Sequence, residues 1–272
     1  MQVLEHQTSV ELEQLCNQIM ELQKQRETIV KMQNSQRSQI TSYVTRAIGY
    51  SSYDDPAERK SKWTLAGKII AAVLKDKPVP DGCEPVAELA GDLIRTFDLT
   101  FSGLDDKRCQ IERAMSLLAA ELPVYNWWVS IKGAGAYGLA AIVGEAGNLS
   151  NYENPAKLWK RFGDAVLDGT AQGKLPKNTA AEVWIAHGYN ARRHSIIWRI
   201  ADSMWKSGGA DNRYKVAAVA YKDRQLEVLR EKWIADGKKP EKYGPGHAHN
   251  RAVRYMRKML LKDLWNKWND KE

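Results

Sequence analysis

Apolar residues recur three and four positions apart along most of the chain, and strict apolar–polar alternation is almost absent from the first 120 residues. That spacing belongs to helices that bury one face, whereas a half-buried strand needs a repeat of two. The expected fold class is therefore all-α. It begins with a coiled-coil-like helix and a helical segment, followed by a basic helical domain. Leu12, Leu15, Ile19, Leu22 and Ile29 make the first stripe, which weakens at Arg26 and Gln33 and resumes at Ile40 and Val44. Such a stripe serves a short coiled coil or packs on its own chain. The first alternative predicts a homodimer through the N-terminal helix.

Breakers divide the chain into 1–48, 57–122 and 123–272. Gly49 to Pro56 has turn-forming composition, and Pro78, Pro80, Gly82 and Pro85 end a helix predicted over Trp63–Leu74. Helices are expected from about Pro85 to Phe97 and from Asp105 to Leu122, the second stopped by Pro123. A small-residue helix follows over Ala136–Glu145. Asn154-Pro155 has the form of an N-cap and first-turn pair opening the next helix. Asp168 to Lys177 is an open polar loop, and Thr179 with Glu182 resembles a capping box. Helices are predicted over about 191–206, 211–236 and 248–268, the last two separated by a Lys- and Gly-rich loop from Gly237 to Gly246.

Hydrophobic residues at 43% and charged ones at 27% exclude wholesale disorder. The longest apolar run, Gly138–Gly144, is seven residues, short of the about 18 that a membrane span requires. The N-terminus has no basic segment leading into an apolar one, so no signal peptide is expected. Three scattered cysteines, Cys16, Cys83 and Cys109, form neither a disulfide framework nor a Cys-x-x-Cys site. A cytoplasmic protein with no membrane partner is the expectation. The net charge of +8 is uneven: residues 1–120 hold 15 basic and 17 acidic side chains, and 121–272 hold 26 and 16. A basic carboxyl half is attracted to polyanions, although a solvated basic surface would have the same composition.

The sharpest local motif is Ile131-Lys132-Gly133-Ala134-Gly135 ahead of the small-residue helix. Glycines let a backbone approach a phosphate, the free N–H groups of a following helix face the anion, and Lys132 adds charge. A packing turn between helices would read the same way. In order after it come Ala140-Ala141-Ile142-Val143-Gly144-Glu145-Ala146-Gly147, Asn148 to Pro155, Lys157-Leu158-Trp159-Lys160-Arg161-Phe162-Gly163, and His187-Gly188-Tyr189-Asn190-Ala191-Arg192-Arg193-His194. Over about residues 107–207 this succession resembles the C-terminal domain of the bridge-RNA-guided insertion-sequence transposases, the one-hundred-and-ten family. The resemblance implies a helix-hairpin-helix element, a nucleic-acid partner, and bacterial or mobile-element origin.

The family pattern also implies a RuvC-like sheet with four acidic residues and a serine nucleophile in the loop between the two C-terminal blocks. Here the first 120 residues offer no such sheet, and Leu167–Lys174 contains no serine. Thr170 is the nearest hydroxyl and the one candidate nucleophile, though a threonine would need a neighbouring base. The departure points to a protein that kept a nucleic-acid-binding surface without strand transfer. A divergent recombinase, or a nuclease using Glu145, Asp164 and Asp168 around Mg²⁺, is the alternative. A structural or adaptor protein is a second. No cofactor is otherwise implied.

The expected partner is DNA, or RNA, gripped by Lys132, Gly133, Gly135, Lys160, Arg161, Lys174, Arg192 and Arg193 and by the stripe Arg251, Arg254, Lys258 and Lys262 on the last helix. Arg192 and Arg193 diverge on their helix, so one could hold a phosphate while the other pairs with a carboxylate such as Asp202. His187, His194, His247 and His249 have no third ligand at metal-binding spacing and read as loop or cap histidines. Most tryptophans fall on apolar helix faces, leaving one or two to stack on a base.

Overall fold

The computed structural model describes residues 2–237, 239 and 245–271, with side chains for all of these except 2–9 and 99–101. Most of the predicted 237–246 loop lies outside the described residues. The described chain is all-α: ten α-helices, one 3₁₀ turn and a single hairpin of two-residue strands. Among the described residues no helix is long and apolar enough to cross a membrane. The helices form two compact units, one from residues up to Gln23 together with Arg113 onward, the other Lys24–Glu112.

The smaller unit is built from α1 (Gln2–Ala47, from Lys24), α2 (Pro56–Leu74) and α3 (Glu84–Ala119, up to Glu112). Ile40 and Val44 pack with Ala66 and Ile69 of α2 and Ala90 of α3. Asp55 caps α2 by accepting the N–H groups of Ala57 and Glu58 at 2.7 and 2.9 Å, with Pro56 in the first turn. The two helices expected over 85–97 and 105–122 are one continuous α3. Nothing between Phe97 and Asp105 removes a backbone donor, and Gly103 on the exposed side costs a helix only about 1 kcal/mol. The weak places in the α1 stripe are engaged by the chain itself. Arg26 Nε lies 2.6 Å from Glu112 Oε1, and Gln33 Nε2 donates to Asp105 at 3.2 Å.

The larger unit holds α4 (Tyr125–Ser130), α5 (Ala136–Ala146), a 3₁₀ turn (Leu149–Asn151) and α6 (Pro155–Arg161). After them come β1 (Val166–Leu167), β2 (Thr170–Ala171), α7 (Ala181–His187), α8 (Ala191–Ser207), α9 (Arg213–Ala235) and α10 (Gly246–Trp268). α9 and α10 run antiparallel. Arg213 pairs with Asp263, Tyr221 stacks on Tyr255 at 4.7 Å, and Arg251 bonds Gln225 at 2.7 Å. α10 is buried along Ala252, Met256, Leu260, Leu264 and Trp268, and α8 along Ile197, Ala201 and Met204. Small residues let α5 approach its neighbours: a Cβ on Gly138 would meet Ile200 and Trp128, and one on Gly144 would overlap Gln23.

Two local expectations change. The polar loop after Leu167 begins as a hairpin, with Val166 opposite Ala171 and Leu167 opposite Thr170. Asp168 and Gly169 both take positive φ, 49° and 74°, the geometry of a tight two-residue turn. The Thr179–Glu182 capping box does not form: α7 starts after Ala180 with no side-chain cap. The Asn154 cap does form, accepting the Ala156 and Lys157 N–H groups at 3.0 and 3.3 Å.

Candidate nucleic-acid interface

Asn190 accepts the N–H groups of Arg192 and Arg193 at 3.0 and 3.1 Å, and so fixes where α8 begins and which way its first basic residues point. Both guanidiniums reach the same carboxylate. Arg192 Nη2 lies 2.8 Å and Arg193 Nε 3.3 Å from Oε2 of buried Glu145, whose Oε1 accepts from Gln23 at 2.8 Å. Arg161 donates through Nε and Nη2 to the Glu145 carbonyl at 3.0 and 2.6 Å. Burial, followed by the nearby Arg193, lowers the pKa values of Arg161 and Arg192. Three arginines expected on phosphates thus close the C-terminal turn of α5, where cations also suit the helix dipole. The predicted Asp202 partner is engaged elsewhere, with Lys206 at 2.6 Å.

The next residue on α8 belongs to a second cluster. Asp164, fully buried after α6, lies 2.7 Å from Arg257 Nη2, 3.5 Å from Arg254 Nε and 3.9 Å from His194 Nδ1. Burial raises the Asp164 pKa, against the opposite pull of the Arg257 and Arg254 guanidiniums. His194 Nδ1 sits 3.2 Å from the Phe162 carbonyl, which calls for a proton there, and Nε2 faces Arg257 Nη1 at 3.4 Å, which calls for a lone pair. Burial together with Arg257 holds the imidazole's pKa below the ordinary histidine value, which favours the neutral ring. Arg254 Nη2 donates to the Gln172 carbonyl at 2.8 Å, tying α10 to the segment after the hairpin.

Above this cluster α8 and α10 part to leave a cleft of about 380 Å³. His194 and Trp198 line one wall, and His247, Asn250, Arg251, Val253, Arg254 and Arg257 line the other. Arg251, Asn250, His247 and Trp198 are exposed, and Arg254 is half-buried. The three arginines have one carboxylate beneath them, Asp164, so the cleft is cationic.

Other expected contacts are dispersed. Gly133 has φ 95°, and a Cβ there would lie 2.7 Å from Met204 Cα and 2.6 Å from Ser207 Oγ. The hairpin therefore packs Gly133 closely onto α8. Gly135, φ 65°, faces open space, and its carbonyl accepts from Trp128 Nε1. Lys132 is exposed beside a separate hollow of about 280 Å³ lined by Trp127, Asp211 and Arg213. Lys160, Lys174 and Lys262 are exposed. Lys258 lies over the Trp159 ring, 4.4 Å from its centroid, and burial lowers its pKa. Thr170 sits exposed on the hairpin, and among the described residues no base is hydrogen-bonded to its hydroxyl.

Glu145 and Asp164 are each clamped by arginines, and Asp168 lies on the hairpin turn. Among the described residues no three His, Cys, Asp or Glu side chains are grouped as metal ligands. His187 bonds the Gly173 carbonyl at 2.8 Å and His249 packs edge-on against Trp205.

Arg257, His194, Trp198 and His247 escaped the sequence-based site. A signal was present for Arg257, a cation next to Met256 on the apolar side of α10, and for Glu145, the one acid in an otherwise apolar helix. Lone charges in apolar stripes mark buried ion pairs. No protein-family model, curated protein or solved structure matches the chain.

Proposed function

We propose that the chain binds nucleic acid, DNA foremost, through the cleft between α8 and α10. The observation that carries this is the composition of that cleft: Arg251, Arg254 and Arg257 converge with His194 and His247 beside an exposed tryptophan, above one buried carboxylate. Guanidiniums in that density suit phosphate oxygens, and the exposed Lys174 and Lys160 in the same unit add to the attraction at longer range. Contacts to the backbone dominate, so binding is weakly sequence-selective and steeply salt-dependent.

Kinship with the C-terminal domain of the bridge-RNA-guided transposases remains a proposal resting on the order of motifs. Strand-transfer chemistry is not part of this proposal: among the described residues no base is hydrogen-bonded to Thr170, and Glu145 and Asp164 are paired with arginines. The test is a titration of labelled DNA at several salt concentrations with wild type and Arg251→Ala. Arg251 is chosen because it is exposed and, among the described residues, its hydrogen bond goes to Gln225. Weaker binding with a shallower salt slope, by about one counterion, supports the proposal. A flat salt dependence, or an unchanged Arg251→Ala titration, overturns it.

A further inference from the structure

Among the described residues Trp63, Trp184 and Trp198 have no hydrogen-bond or ring partner, and of these three Trp198 lines the cationic cleft. The indole N–H groups of Trp128, Trp159, Trp233, Trp265 and Trp268 donate to oxygens within the chain. Trp127 packs against Trp128, and Trp205 against His249. Trp198 makes no hydrogen bond or ring contact among the described residues, and 46% of its surface is exposed. It opens into the cationic cleft, one helical turn beyond His194 and across from Arg251 and Arg254. Its neighbours in the cleft are mostly guanidinium, imidazole and amide side chains.

The geometry points to a single-stranded polynucleotide as the occupant, with an unpaired base stacked on Trp198 and its phosphate held by Arg251 and Arg254. This rests on the cleft being the nucleic-acid interface, and it adds strandedness and the group that reads it. Bases inside a duplex have both faces covered by their neighbours and cannot offer one to an indole, whereas every unpaired base has a free π-face. At about 380 Å³ the cleft lies at the small end of small-molecule pockets, a size for a nucleotide-like group and not for a double helix. Arginine beside the ring favours the same occupant, because it pairs with phosphate and also stacks on bases.

Fluorescence anisotropy with labelled oligo-dT, oligo-U and a mixed-sequence DNA duplex, each of about twelve units, tests this on the full chain. Wild type is expected to bind single strands more tightly than the duplex. Trp198→Ala should lose roughly 5- to 150-fold in single-strand affinity, the range for removal of one stacking partner, with the salt slope unchanged. Trp198→Phe should retain most of the affinity, and thermal unfolding of both variants reports whether they fold. The oligo-dT and oligo-U arms separate DNA from RNA as the source of the strand. Duplex binding as tight as single-strand binding, or a folded Trp198→Ala with wild-type affinity, overturns the stacking assignment while leaving the phosphate contacts intact. Loss of salt dependence for every probe overturns the nucleic-acid interface itself.

Discussion

Arg257 Nη2 lies 2.7 Å from Asp164 Oδ1, with the two side chains 5% and 0% exposed. Arg257 comes from α10 and Asp164 from the segment after α6, so the pair joins two elements nearly a hundred residues apart in sequence. Removing either charge would leave the other buried without its main partner.

Breaking this pair is expected to be costlier than replacing it. Asp164→Asn should lower unfolding stability by roughly 3–5 kcal/mol, because a desolvated guanidinium remains. Asp164→Leu/Arg257→Leu should be closer to wild type than Asp164→Asn, since neither charge is then stranded. Urea denaturation of the three proteins is the measurement. A double variant less stable than Asp164→Asn would mean that the pair does not act as a unit.

His194 gives this region a pH dependence of defined sign. Burial and Arg257 hold its folded pKa below the ordinary 6.5, outweighing Asp164 and the Phe162 carbonyl. Between the folded value and 6.5 the unfolded chain therefore binds more protons, and stability rises with pH. Its contribution is complete above 6.5 and is lost as pH falls toward and through the folded value. Asp164, raised above 3.8, acts with the opposite sign between 3.8 and its folded value. The urea midpoint should fall between about pH 7.5 and about pH 5.5, and His194→Gln should flatten that change. An equally steep change in the variant would assign the dependence to other groups.

The helices of the basic half were legible because their apolar periodicity is strong. α8, α9 and α10 lie close to the predicted spans, and Asn154-Pro155 caps α6 by a mechanism written in two adjacent residues. Length was harder to read where propensity is neutral, and α3 runs through a stretch that had looked like a break. The 166–171 hairpin was hidden because two-residue strands are too short to show alternation, and only its Asp-Gly turn could have signalled it. The basic residues were visible but not their partners. Arg192, Arg193 and Arg161 converge on Glu145 through tertiary contacts, which one-dimensional spacing does not contain.

Arg26 interrupts the apolar stripe of α1 and its side chain is 9% exposed against Glu112. Arg26→Ala should lower stability by about 2 kcal/mol, the scale of a charged hydrogen bond removed from a half-dry site. Because Glu112 belongs to the same chain, the loss on Arg26→Ala should be the same at every protein concentration. A loss that changes with concentration would tie this pair to association between chains.

The two hairpin glycines should respond differently to the same methyl group. Both have positive φ, so alanine is strained at either position, and Gly135, with ψ 151°, lies in a region essentially reserved for glycine that costs a side chain about 1–3 kcal/mol. At Gly135 nothing lies within 4 Å of the added carbon, and that strain is the whole effect. At Gly133 the methyl would also overlap the Met204 backbone at 2.7 Å, which cannot yield without moving α8. Gly133→Ala should therefore lose more than Gly135→Ala, by about the 1–3 kcal/mol of an overpacked contact. Thermal unfolding compares them, and a folded Gly135→Ala should keep wild-type affinity for DNA because the α8–α10 cleft does not include the hairpin. Equal losses at the two positions would mean that the hairpin does not pack on α8. A selective loss of DNA affinity in stable Gly135→Ala would move the nucleic-acid contact from the cleft to the glycine turn.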